Sequence, residues 1–319
     1  MSRASLPIGI DIGATRIRVL HARVTSGGPR VDAIAVRDVS TNGSAEAFAD
    51  PNYIAAIIED AVGELRTRER RCVLALAEPD ALLRTVTFPR MTSLERERSA
   101  RFEAQRYADF GLEEATVRIH PIDARTDVWA LGVARTAAIE NRLAVTRAAK
   151  LRVCAMDHES CALARALPGF DAILDVGYGR TRLHVVTTHT PLTFQTFNGG
   201  AGVTRGIERD LCVDERSAEK RKRILGTAGA GERARGVLAA EITALIQHAR
   251  ELQPIERIAL AGNGSRLAGL QAAIEAATGA LCELAVGEGL RGDQYPEDVV
   301  RSGAADWNLA LGLAMWGAA

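Results

Sequence analysis

Two short stretches hold the residues best suited to chemistry. The first is Asp11-Ile-Gly-Ala-Thr-Arg-Ile-Arg-Val19 and the second is Asp175-Val-Gly-Tyr-Gly-Arg-Thr-Arg-Leu183. Asp, apolar, Gly, two free positions, Arg, one free, Arg, apolar: every fixed position recurs. Each stretch ends one strand and begins the next across a tight turn. A turn built on Gly13, or on Gly177 and Gly179, lets backbone N–H groups approach an anion with no Cβ in the way. An Asp at the strand end, Asp11 or Asp175, can serve Mg²⁺, usually through water, because Mg²⁺ sheds its hydration reluctantly. Two such loops facing each other can clamp a triphosphate from both sides. One D-x-G is weak evidence. Two copies, each opening a strand-rich half, imply a duplicated unit with a shared cleft. The alternative is a pair of ordinary hairpins with a turn Asp and Gly.

A third loop is Leu260-Ala-Gly262-Asn263-Gly264-Ser-Arg-Leu267. An apolar strand runs into Gly-x-Gly and then a helix, a backbone on which a flat base or a phosphate can lie. It lacks the third Gly and the later acid of a dinucleotide-binding fingerprint. No GxxxxGK[ST] phosphate loop occurs anywhere in the chain.

The elements that must position these loops follow from periodicity. Strands are expected at 6–12, 16–24 and 31–39. In the second, Ile17 and Val19 alternate with Arg16 and Arg18, as in a half-buried strand. A helix over 51–68 gathers Ile54, Ile57, Ile58, Ala61, Val62 and Leu65 on one face. A strand at 72–77 completes an α/β pattern. The texture then changes. A strand at 83–90 is followed by Thr92-x-x-Glu95, a capping box for a charged helix to about Phe110, with Glu97 and Arg101 as a supporting pair. Strands at 115–122 and 128–134 and a helix at 136–149 complete a small α+β module. A strand at 152–156 and a helix at 158–167 lead into a second α/β half. Its strands are expected near 170–177, 182–186, 192–197 and 257–261. Its helices are expected at 200–211, 214–225, 233–252 and 266–277, and an apolar helix at 306–316 closes the chain. The expected division is a first lobe at 1–83, an inserted module at 84–150, a return to the first lobe at 151–168, a second lobe at 169–305, and a closing helix at 306–319 packed on the first lobe.

Composition narrows the function. Of 319 residues, 40 are basic and 40 acidic, so no global field draws in nucleic acid or an anionic membrane. In the run Lys220-Arg-Lys-Arg223, the three residues other than Lys222 read as a solvated helix face. The five cysteines are odd in number and form no CxxC, so the expectation is buried, reduced thiols with neither a disulfide framework nor zinc. His184 and His189 lack metal-ligand spacing. Ser160 beside His158 and Glu159 is not a triad, because adjacent residues on a helix do not face each other. No apolar run approaches the ~18 residues of a membrane span, and the N-terminus lacks a signal-peptide core. These features lead us to expect a cytoplasmic protein that a partner recruits to any membrane machine it serves.

In their order, the three loops resemble the actin-like ATPase superfamily, which includes actin, sugar kinases, heat-shock chaperone ATPases and the division protein FtsA. Three further stretches narrow the resemblance to the type IV pilus assembly family PilM, or its relative in mannose-sensitive haemagglutinin pili. They are Pro89-Arg-Met-Thr92 ahead of Phe102-Glu103, Asn198-Gly199-Gly200-Ala-Gly-Val-Thr204 ahead of Ala218-Glu219-Lys-Arg-Lys222, and Leu309-Ala-Leu-Gly312-Leu-Ala-Met315. The resemblance implies a duplicated, two-lobed, actin-like (ribonuclease H-like) α/β fold that binds ATP and Mg²⁺. Carried over by motif, Asp11 and Asp175 would serve Mg²⁺ through water. Gly13, Ala14, Thr15 and Arg16 would line the phosphates from one side, and Gly177, Gly179 and Arg180 from the other, with Gly199 and Gly200 beside them. Glu219 and Lys222 would contact the ribose or base, and Gly262, Asn263 and Gly264 the adenosine. The implied partners are the N-terminal tail of a PilN-like inner-membrane protein, the pilus motor ATPases or other platform proteins, and a second copy of the chain in a homo-oligomer.

Some positions depart from the family pattern. Ala14-Thr15-Arg16 and then Arg18 stand where small hydroxyl residues and Lys are usual. Tyr178 and Arg180 interrupt a Thr- and Gly-rich loop, and Asn263 replaces a Gly. Arg still suits phosphate. No catalytic base is evident beside the loops, so the expectation is ATP binding with weak or absent turnover. The competing reading is a small-molecule kinase, which needs an acid in the cleft to accept a hydroxyl proton. FtsA-like and type II secretion adaptors fit less well, lacking here the membrane-binding tail of the first and the membrane span of the second.

Overall fold

The computed structural model describes residues 5–39, 50–122, 126–290 and 304–318. Strand β1 (Ile8–Ile12) turns into β2 (Arg16–Thr25), and β2 into β3 (Gly28–Asp38). Helix α1 (Pro51–Glu64) follows, its first turn capped by Asp50, whose carboxylate accepts from Asn52 N–H. Then come β4 (Arg71–Leu76), β5 (Ala81–Thr87), α2 (Ser93–Ala104), β6 (Ala115–Pro121), β7 (Val128–Arg135), α3 (Thr136–Ala148), β8 (Arg152–His158) and α4 (Glu159–Ala166). The second half runs β9 (Ala172–Val176), β10 (Thr181–Val185), β11 (Leu192–Thr196), α5 (Gly200–Leu211), α6 (Glu215–Leu225), α7 (Glu232–Arg250), β12 (Arg257–Ala261), α8 (Leu270–Thr278), β13 (Leu281–Leu284) and α9 (Asn308–Ala314).

The duplication read from the twin loops extends to whole sheets. One has the order β3-β2-β1-β4-β8 and the other β11-β10-β9-β12-β13. In both, the first three strands of the half pair antiparallel, and two further strands add in parallel beside the first. Each sheet carries helices on its outer face. Ile54 and Ile58 of α1 and Val145 of α3 pack on Ile8, Ile10 and Leu74 in the first lobe. Val203, Leu238, Ile242 and Ile274 cover Leu174 and Leu183 in the second.

Helices α4 and α9 fill the space between the sheets, where Leu20, Leu163, Ile173, Ala259, Ala310 and Leu311 share one core. The packing is backbone to backbone. A Cβ on Gly9 of β1 would fall 1.9 Å from the carbonyl oxygen of Ala310, and one on Gly312 would fall 1.8 Å from that of Ala162. Because β2 is covered from both sides, Arg18 is only 8% exposed, whereas its alternation with apolar residues suggested a half-buried strand with Arg18 outside.

A third sheet, β5-β7-β6, stands apart with α2 on it, around Leu82, Val86, Phe88, Ala104, Leu131 and Val133. Helix α3, expected as part of this module, instead packs with α1 in the first lobe's core. The capping box forms: Thr92 Oγ1 accepts from Glu95 N–H at 3.3 Å, and Glu95 accepts from Thr92 N–H at 2.8 Å. Helix α2 stops at Ala104 rather than near residue 110. Phe110 folds back against the module, where the Arg135 guanidinium lies 4.2 Å from its ring centroid. Arg101 donates to Leu112 O instead of pairing with Glu97.

The helix expected at 266–277 begins later, after a 3₁₀ turn at Asn263–Arg266, and the closing helix is likewise shortened by a 3₁₀ turn at Ala304–Trp307. Cys72 and Cys282 are buried and Cys161 is half-buried. Cys154 and Cys212 are exposed, against the expectation of uniformly buried thiols, and all five are free. The segment expected to complete the second lobe, up to 305, lies partly outside the described residues.

Candidate functional site

The carboxyl ends of β1 and β9 open onto one cleft of about 1270 Å³ between the lobes. This is where open α/β sheets bind ligands. Both twin loops line it, and their geometry is the same. In register, Asp11 faces Arg18 and Asp175 faces Arg182. Each turn is closed by one backbone bond, from Gly13 N–H to Arg16 O at 3.0 Å and from Gly177 N–H to Arg180 O at 2.9 Å. Ala14, Thr15, Arg16, Gly179 and Arg180 also line the cleft.

The third loop closes on the second. Gly262 has φ +76°, and a Cβ there would lie 2.3 Å from Asp175 Oδ1. A Cβ on Gly264 would lie 2.5 Å from Val176 Cγ1. Only glycines permit this approach. With its amide nitrogen turned toward Asp306, Asn263 accepts from Arg18 Nη2 at 3.0 Å. The start of α5 also docks on the second loop. Gly200 N–H donates to Gly177 O at 2.9 Å, and a Cβ on Gly199 would come within 2.6 Å of the same oxygen.

Glu219 and Lys222 face the cleft from α6 as a pair, 2.5 Å apart. Lys222 Nζ also donates to Gly200 O at 2.9 Å and Thr204 Oγ1 at 2.7 Å. Tyr178 Oη donates to the Glu215 carboxylate, tying the second loop to the start of α6. Burial and this carboxylate push the Tyr178 hydroxyl up to about 12. Thus the structure gathers every loop residue singled out from sequence around one cleft, with Gly199 just behind its lining.

A family model described as type IV pilus assembly protein PilM matches residues 9–318. The chain belongs to the PilM family. It is similar to the solved PilM-PilN type IV pilus biogenesis complex, with 25% identity, all of each chain covered and a TM-score of 0.83. It also superposes on the ethanolamine utilization protein EutJ from Carboxydothermus hydrogenoformans at 14% identity, with 99% of this chain and 91% of that one covered and a TM-score of 0.61. Component A of the (R)-2-hydroxyglutaryl-CoA dehydratase of Acidaminococcus fermentans matches at 12% identity, 98% and 97% coverage and a TM-score of 0.50. The last two show the fold alone. The fold is the duplicated, two-lobed, actin-like one.

This PilM-family cleft contains acids that sequence reasoning missed. Glu159 opens α4, is 7% exposed, and pairs with Arg182 Nη1 at 3.1 Å. Its carboxyl faces that of Asp175 within hydrogen-bonding range, and burial pushes Glu159 up to about 7 and Asp175 upward as well. Desolvation thus disfavours holding both carboxyls ionised side by side. Burial also raises Asp11 to about 6, against the opposing pull of Arg18. Glu159 thus supplies an acid–base candidate that lies outside the loops themselves. The available signal was an acid at the first position of a helix that follows a strand ending at the cleft. Asp306, Glu78 and Arg142 line the same cleft and were likewise not singled out.

The residues fit a nucleotide: Cβ-free turns and cationic side chains converge on a cleft of sufficient volume. They do not fit Mg²⁺ as the carried-over roles require. Arg18 Nη1 already lies 3.2 Å from Asp11 Oδ2, and Asp175 is engaged with Glu159, against which Arg182 sits. Among the described residues no group of three or more His, Cys, Asp or Glu could hold a metal ion.

Proposed function

We propose that the protein is a nucleotide-binding scaffold of type IV pilus assembly. In this reading it holds ATP between its two Asp-Gly loops and takes up the N-terminal tail of a PilN-like inner-membrane protein. It thereby links the membrane platform to the motor ATPases from the cytoplasmic side. The observation that carries the reading is the full-length likeness to the PilM-PilN complex at 25% identity. The matched loop geometry supports the nucleotide part. An extended tail can pair with an outer strand such as β6 of the small sheet. Among the described residues no helix is long and apolar enough to cross a membrane, which suits attachment through a partner.

Thermal unfolding with and without ATP tests the nucleotide part. A ligand at 100 times its Kd adds about 2.7 kcal/mol to the folded state. The expected outcome is a higher midpoint for the wild type and no shift for Asp11→Ala; an unshifted wild type, free of copurified nucleotide, overturns ATP binding. For the partner, a synthetic N-terminal tail of the PilN-like protein should bind the full chain saturably, and absence of binding in every nucleotide state overturns the docking role. Glu159 favours a second reading, phosphoryl transfer to a small molecule. Transfer of labelled γ-phosphate to a metabolite pool would establish it over the scaffold.

A further inference from the structure

We propose that Arg18 and Arg182 are a matched pair of phosphate-binding cations that lets the cleft hold a nucleoside triphosphate without an obligatory divalent cation. This rests on the nucleotide reading above and concerns how the same cleft neutralises its ligand. The two arginines hold equivalent positions in the duplicated unit, each opposite the Asp that ends the neighbouring strand. Neither is a surface charge: their side chains are 10% and 16% exposed. A buried guanidinium stays protonated and keeps its fork of donors.

Their present partners are groups that an incoming phosphate can replace. Arg18 spans Asp11 at 3.2 Å and Asp306 at 3.8 Å. Arg182 spans Glu159 at 3.1 Å and the Glu78 carbonyl at 3.2 Å. Arg182 Nε is buried with no hydrogen-bond partner among the described residues. An unmatched buried donor is costly, and a ligand oxygen would satisfy it. Asp11, Asp175, Glu159 and Asp306 would repel a triphosphate if left unscreened. In many nucleotide sites the metal provides that screening. Here the two guanidiniums already occupy the space between those carboxylates, and a divalent ion beside them would meet like charge at close range.

The test is a titration of the full chain with the fluorescent nucleotide mant-ATP, once in excess Mg²⁺ and once in excess EDTA. We expect the wild-type Kd to agree within about threefold, a difference under the 1.4 kcal/mol of a tenfold change. Arg182→Gln should weaken binding in EDTA by about tenfold or more and recover part of it in Mg²⁺. A wild-type affinity that falls more than about tenfold on removing Mg²⁺ overturns the proposal and leaves the nucleotide reading intact. No binding in either buffer overturns the nucleotide reading itself, and this proposal with it. The wild-type comparison needs no variant, so a misfolded Arg182→Gln chain does not blunt it.

Discussion

Gly262 lies directly against Asp175: a Cβ on the glycine would fall 2.3 Å from Asp175 Oδ1 and 2.6 Å from Val176 O. The third loop is thereby seated on the second, and the Gly262 backbone and the Asp175 carboxyl become one unit. Gly262 also has φ +76° and ψ 153°, a region essentially confined to glycine. Gly262→Ala should cost about 1–3 kcal/mol of strain and push the third loop away from Asp175. The expected result is a lower thermal midpoint together with loss of the ATP-induced shift. A variant that keeps the full ATP shift would show that the contact does not shape the site.

The closing helix α9 has no spare room on either side. At Gly312 a new Cβ would meet the backbone of Ala162 at 1.8 Å, and backbone cannot rotate away as a flexible side chain can. Gly312→Ala should destabilise the whole protein by about 2 kcal/mol or more, in the upper part of the overpacking range. It is read from the urea midpoint. Gly63 is the contrast: it is exposed on α1 with nothing within 4 Å of its added Cβ. Gly63→Ala should raise stability by up to about 1 kcal/mol through helix propensity alone.

Glu69 gives a pH dependence of definite sign. Its carboxylate accepts from Arg71 Nη2 at 2.7 Å and Nε at 3.0 Å, and from the N–H groups of Arg70 and Arg71. The Arg71 side chain does most to hold it down to about 2, against an ordinary value of 4.5. A carboxyl depressed in the folded state adds stability that is complete above its unfolded pKa and is lost as pH falls through the folded one. The stability gap between wild type and Glu69→Gln should be constant near neutral pH, shrink below pH 4.5, and close toward pH 2. Chemical denaturation across that window measures it.

Thr92 caps an exposed helix end, so its removal should act locally. Thr92→Ala removes the hydroxyl that accepts from Glu95 N–H, leaves the backbone N–H that donates to the Glu95 carboxylate, and should cost about 1 kcal/mol. Amide exchange should quicken in the first turn of α2 and stay unchanged in the two large sheets. A slower-exchanging first turn would refute the capping role.

The sequence by itself determined what neighbouring residues can settle. The D-x-G repeat set the two turns, since Gly13 and Gly177 close them over only a few residues. Apolar periods of two and 3.6 marked most strands and helices, and Thr92 with Glu95 fixed where α2 begins. The end of α2 was not legible, because it depends on Phe110 meeting Arg135 from a later strand. Nor was the place of α3 with the first lobe, since nothing along its own length says which core its apolar side will meet. At the site the carboxyl of Glu159 matters only because docking brings it to Asp175 and Arg182, neither adjacent to it in the chain. Arg18 looked outward by alternation until α4 and α9 covered the inner face of its strand. Local backbone preferences are written in consecutive residues. Burial and charge pairing between distant segments are decided only when the two halves close on each other.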